Sequence, residues 1–162
     1  ICQLTMSERI IHLLGKRIIL VPVQNGDIKE IIQSQITFFD LQSEKCKQFG
    51  FTMSLKNGKK LSFLGDEPYQ PSSEIYVKES DWLLSEAFCL DAHRSRYHPE
   101  KIQHSTVKEA CEIAQYLKAK NLVLWHTEDD HLSERRELYT AEGQKYFQGQ
   151  IFVPDDLEII EL

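Results

Sequence analysis

Between Trp82 and Trp125 the sequence places a strand, a helix and a second strand in close succession, and this is the feature that most restricts the fold. Trp82 to Phe88 (WLLSEAF) and Asn121 to Trp125 (NLVLW) are short apolar runs of the kind that are buried in a sheet covered by other layers. Thr106 to Ala119 lies between them with Val107, Ala110, Cys111, Ala114 and Leu117 spaced at three and four residues, the apolar stripe of a helix that packs against a core. Its start is marked by Thr106-Val107-Lys108-Glu109, a capping box in which the two side chains satisfy each other's exposed amides. A β-α-β unit of this kind demands a layered α/β fold.

Upstream the pattern is that of antiparallel hairpins. Ser7 to Leu14 reads as a helix end stopped by Gly15. Arg17 to Val23 (RIILVPV) reads as a strand, followed by the turn chemistry of Gln24-Asn25-Gly26-Asp27. Ile36 to Leu41 is a second β-rich run, and Phe49 to Lys56 alternates apolar residues with small or polar ones. Asn57-Gly58 closes a hairpin onto Leu61 to Leu64. After that come a short helix over Ser72 to Ser80, an amphipathic helix over Leu132 to Phe147, and a closing pair of short strands, Ile151 to Val153 and Leu157 to Leu162. Together these predict an α/β fold: one domain over residues 1–162, with a mixed β-sheet and flanking helices.

At 162 residues the chain is long enough for a real core, and its 41% hydrophobic and 27% charged composition is that of a globular protein. A net charge of -6 argues against a broad nucleic-acid surface, which needs clustered Lys and Arg. Cys2, Cys46, Cys89 and Cys111 form no CxxC pair, so free thiols in a reducing cytosol are expected. No run reaches the roughly 18 to 20 apolar residues of a membrane span. The chain opens on Ile1 rather than Met, which fits a trimmed or partial chain.

Four polar groups stand where strands end or helices begin. Asp66 follows the apolar run Leu61 to Leu64 and Gly65, and His126 follows Asn121 to Trp125; both suit metal ligation, since imidazole nitrogen and carboxylate oxygen are first-choice zinc donors. Glu86 closes the Trp82 strand and His104 opens the capped helix; an adjacent Glu and His can orient each other and move protons. Each has a plainer alternative. Asp66 also fits a turn or cap residue, His126 a core histidine, His104 a helix-entry residue, and Glu86 a buried carboxylate that must be paired or neutralised. His12, His93, His98, His131 and the run Glu128 to Asp130 read as solvated.

Taken in order, Gly65-Asp66, Glu86-Ala87, His104-Ser105-Thr106 with Glu109-Ala110, and Leu122 to His126 resemble the C-terminal half of a metallo-β-lactamase-fold hydrolase, most similar to the ribonuclease Z branch. The resemblance runs from about Arg17 to Leu162. It implies half of an αββα sandwich and a site with two zinc ions, in which Asp66 and His126 are metal ligands and Glu86 and His104 the proton-moving pair. The implied reaction is phosphodiester hydrolysis by zinc-bound hydroxide.

The departures are specific. The branch's His-x-His-x-Asp-His motif occurs nowhere in the chain, Ser85 stands where the branch has His, and Gln42 stands where a further ligand His is expected. Two ligands are too few to hold a catalytic zinc. The expectation is therefore a hydrolase portion, inactive alone, with an apolar sheet face left for a missing N-terminal half or for a homodimer. RNA remains a substrate class from the resemblance alone. The alternatives are a non-catalytic interaction module and a small-substrate hydrolase of the same fold.

Overall fold

The computed structural model describes residues 7–162, so Cys2 lies outside it. Seven strands form one sheet in sequence order: β1 (Ile28–Ile31), β2 (Ser34–Asp40), β3 (Phe49–Ser54), β4 (Lys60–Phe63), β5 (Trp82–Glu86), β6 (Asn121–Trp125) and β7 (Gln150–Phe152). The first three pairings are antiparallel and the last three parallel. The mixed sheet is the expected one.

A 3₁₀ turn at Pro71–Ser73 leading into α2 (Glu74–Val77), then α4 (Val107–Tyr116) and α5 (Arg135–Gly143), fill the three parallel crossovers. Two further four-residue helices are α1 (Glu8–Ile11), ahead of the sheet, and α3 (Arg94–Tyr97), in the β5–β6 crossover. Crossovers are right-handed almost without exception, so a sheet that steps in one direction collects its helices on one face. The main core lies there: Val107, Ala110, Cys111 and Ala114 of α4 and Tyr139 of α5 pack against Phe39, Leu83, Leu122 and Leu124. Tyr139 is fully buried and donates its hydroxyl to the Phe88 carbonyl at 3.0 Å.

Strand alternation sends Leu61, Trp82 and Val123 to the opposite face. That face carries an aromatic series, Phe51 to Phe63 at 5.2 Å and Phe63 to Trp125 at 5.1 Å between ring centres. Among the described residues it is covered by no helix of the core, only in part by the chain end through Ile160. The indole N–H groups of Trp82 and Trp125 are buried there without partners.

The capping box is formed as read. The Thr106 hydroxyl accepts from the Glu109 N–H at 3.3 Å, and the Glu109 carboxylate accepts from the Thr106 N–H at 2.9 Å. Three expectations fail. Arg17 to Val23 makes no strand; Ile19, Leu20 and Val21 are 74%, 59% and 62% exposed, because β propensity needs an edge to pair with and none of the described strands offers one there. Leu157 to Leu162 is the end of a turn followed by irregular chain, tied by the Asn57 amide to the Leu162 carbonyl at 3.2 Å. The last helix is Arg135–Gly143, shorter than Leu132 to Phe147.

The strand that sequence reading missed is β1. It turns into β2 through Ile32 and Gln33, both at positive φ, 51° and 60°, in a two-residue hairpin without Asn or Gly. A β-branched residue there is strained, and Ile32 is 89% exposed, so burial gives nothing back. Changing Ile32-Gln33 to Asn-Gly is expected to raise stability by about 1 kcal/mol, read from the urea midpoint.

Candidate active site

Adjacent strands β4, β5 and β6 end at one rim, the position where open α/β sheets bind ligands. Asp66 follows β4 after Leu64 and Gly65, Glu86 is the last residue of β5 in register with Trp125, and His126 follows β6 directly. His126 is exposed, which removes its reading as a core histidine. Gly65 is required by shape: its φ is 65°, and a Cβ there would lie 2.6 Å from Leu41 Cδ1. Gly65→Ala is expected to cost about 1 to 2 kcal/mol in chemical denaturation, from left-handed strain plus crowding of a buried Leu. Gln42 and His126 hold the same left-handed backbone, at 55° and 54°, a strain that clusters at functional rims.

His104 is brought to Glu86 by a strand-like bridge in which the Phe88 N–H donates to the Ser105 carbonyl and the Val107 N–H to the Cys89 carbonyl, both at 2.9 Å. Glu86 is fully buried, and its Oε1 accepts the Ser105 N–H at 2.5 Å. Its Oε2 has no hydrogen-bond partner and lies 3.5 Å from His104 Nδ1, which has none either. The His104 ring is stacked on Phe88 at 5.3 Å and lies 4.9 Å from the His126 ring. Burial pushes Glu86 up to about 7, the Ser105 bonds and Lys45 pulling against it and Asp66 adding to it. Burial lowers His104, with Lys45 and His126 pressing the same way. The same burial thus favours the neutral form of both groups.

The loop that carries Gln42 is pinned to the Asp66 loop by Glu67, a carboxylate only 4% exposed. Glu67 accepts from Ser43 Oγ at 2.8 Å, Gln48 Nε2 at 2.9 Å and Lys45 Nζ at 3.1 Å. Beside it opens a cleft of about 690 Å³ lined by Gln42, Glu67, Tyr69, Gln103 and His104.

A second polar group was read as solvated and is not. Glu128 is 6% exposed and bonds His131 Nδ1 at 2.7 Å, the Tyr97 hydroxyl at 3.2 Å and the Asp130 N–H at 2.5 Å. His93 stacks on His131 at 4.9 Å, both half-buried. No local pattern marks this, because Tyr97 and His93 arrive from a distant segment. His12 and His98 are exposed as read.

For a metal the fit fails: among the described residues no three His, Cys, Asp or Glu side chains converge. Asp66 and His126 both stand on the rim, and Gln42 is exposed. Cys46, Cys89 and Cys111 are free thiols, and burial pushes the last two up to about 12. Among the described residues no helix is long and apolar enough to cross a membrane.

This sheet, with its helices on one face and acid and imidazole groups at the parallel strand ends, has the metallo-β-lactamase fold. It aligns with the metallo-beta-lactamase fold protein YhfI from Bacillus subtilis with a TM-score of 0.65 and 20% identity, over 83% of this chain and 52% of that one. It aligns with the short form of human tRNase Z with a TM-score of 0.61 and 24% identity, over 82% and 45%. Residues 4–127 match the family described as Beta-lactamase superfamily domain, and the chain belongs to that superfamily. It is 30% identical over 107 residues to a protein named Ribonuclease Z from Thermococcus sibiricus, covering 66% of this chain and 33% of that protein. To the Ribonuclease Z of Exiguobacterium sibiricum it is 26% identical over 138 residues, covering 85% and 44%. The chain thus spans less than half the length of these relatives.

Proposed function

We propose that this chain is the part of a metal-dependent hydrolase that carries the proton-handling pair, with ribonuclease Z-type phosphodiester hydrolysis as its reaction. The observation that carries this reading is the Glu86–His104 pair, shielded from water and unpartnered at 3.5 Å, on the same rim as Asp66 and His126. In this reading Glu86 holds the ring of His104 through Nδ1, leaving Nε2 to give or take the proton of a reacting oxygen. Asp66 and His126 join zinc ligands supplied from outside the chain, since two donors do not make a zinc site. A missing N-terminal half or a second copy covers the aromatic face of the sheet, and the chain alone is inactive.

The test joins the chain to the upstream portion of a ribonuclease Z relative and follows hydrolysis of bis(4-nitrophenyl) phosphate, with the chain alone beside it. Turnover in the joined protein only is the expected result. A folded, zinc-loaded joined protein without turnover would overturn the reading. A second reading, a small-substrate hydrolase of the same fold, is favoured by the absence of any Lys or Arg among the residues lining the cleft.

A further inference from the structure

Hydrogen bonding does little to hold the side chain of His104. Its Nδ1 lies 3.5 Å from Glu86 Oε2, at the outer limit of a hydrogen bond, and has no other partner. Its backbone N–H donates to the Pro99 carbonyl at 2.9 Å, which fixes the chain but leaves the side-chain torsions free. A ring held at one edge by one loose contact can still change rotamer. What steadies it is Phe88, whose ring lies nearly parallel to that of His104, at 19° with centres 5.3 Å apart.

Phe88 is in turn fixed from several directions. Its N–H donates to the carbonyl of Ser105, the residue after His104, at 2.9 Å. Its own carbonyl accepts the Glu128 N–H at 2.8 Å and the Tyr139 hydroxyl at 3.0 Å. The Tyr97 ring meets the Phe88 ring edge-on at 88°, with centres 5.9 Å apart. The Tyr97 hydroxyl is tied to Asp130 at 2.6 Å and to Glu128 at 3.2 Å. The buried Glu128 group, which the proposed reaction does not use, thereby braces the ring against which His104 stacks.

We propose that Phe88 is a positioning residue of this site: its face sets the plane of the His104 ring, so that Nδ1 meets Glu86 and Nε2 is left for the reacting oxygen. Offset stacking suits this task, because it fixes a plane without occupying either ring nitrogen. What His104 does there rests on the hydrolase reading; how its ring is held does not. The ring is observed without turnover, so the two can fail separately.

The experiment measures the three-bond NMR couplings of the His104 side chain, which report its rotamer, in the chain and in variants at Phe88. Phe88→Leu and Phe88→Met remove the flat ring and keep apolar bulk at this half-buried position, while Phe88→Tyr keeps the ring. Backbone amide dispersion shows that each variant is folded. The expected result is one rotamer in the parent chain and in Phe88→Tyr, and averaging among rotamers in Phe88→Leu and Phe88→Met. In the joined protein, the Leu and Met variants are expected to lower kcat about tenfold with KM unchanged, and the Tyr variant to restore it. A side chain that merely filled space would lower the urea midpoint and leave His104 in one rotamer. That result, averaging already present in the parent chain, or averaging in Phe88→Tyr as well would each overturn the proposal.

Discussion

At pH 8 the Glu86→Gln variant is expected to be more stable than the parent chain by about 3 kcal/mol, and near pH 4 the two are expected to be equal. Burial holds the Glu86 carboxyl at about 7 in the folded chain against 4.5 for the free side chain. Below 4.5 the group is protonated folded and unfolded, and costs nothing. Between 4.5 and about 7 the unfolded chain releases its proton while the folded one keeps it, so stability falls as pH rises, by about 1.4 kcal/mol per unit. Above 7 the whole cost is present. Gln keeps an oxygen for the Ser105 N–H and has no charge to bury, so the variant's profile lacks that slope. Urea unfolding of both proteins from pH 4 to 8 gives the difference, and parallel profiles would show that Glu86 is not held protonated by its surroundings.

A second large effect is expected in turnover. In a completed enzyme, Glu86→Ala and His104→Ala are each expected to lower kcat by about 10² to 10⁴, the usual contribution of a positioned acid or base, with metal content unchanged. In the proposed function Glu86 and His104, whose Oε2 and Nδ1 lie 3.5 Å apart, move the proton, while Asp66 and His126, at the ends of the neighbouring strands, hold the metal. Zinc analysis beside steady-state kinetics checks both halves of the statement. Turnover unchanged in both variants would remove the pair's assigned role.

What the sequence makes legible here is what short-range pattern controls. The Thr106–Glu109 capping box, the stripe of α4 and the apolar runs of β5 and β6 are local signals, and each became the element it announced. Because β4, β5 and β6 are adjacent and parallel, Asp66, Glu86 and His126 share one rim; the sequence marks each as a strand-end residue, and the sheet order brings them together. Arg17 to Val23 was misread because an apolar β-rich run becomes a strand only when an edge pairs with it. β1 escaped notice because its hairpin uses Ile32-Gln33 in place of Asn-Gly. The burial of Glu128 and Glu67 was invisible for a different reason. Their partners, Tyr97 and His131 for one and Ser43, Gln48 and Lys45 for the other, come mostly from other segments, and acidic residues in loops carry no mark of such pairing.

In the proposed function the chain holds the scaffold and proton-handling side of a site whose metal ligands are completed elsewhere. This reading is tested most directly by elemental analysis of the purified chain after zinc loading and desalting, with its oligomeric state taken from light scattering of the same sample. The expected result is well under one retained zinc per chain, whether monomer or dimer, because Asp66 and His126 are two donors and a tightly held zinc takes three or four. One or two zinc ions retained per chain would contradict the account, showing that this polypeptide assembles a metal centre by itself.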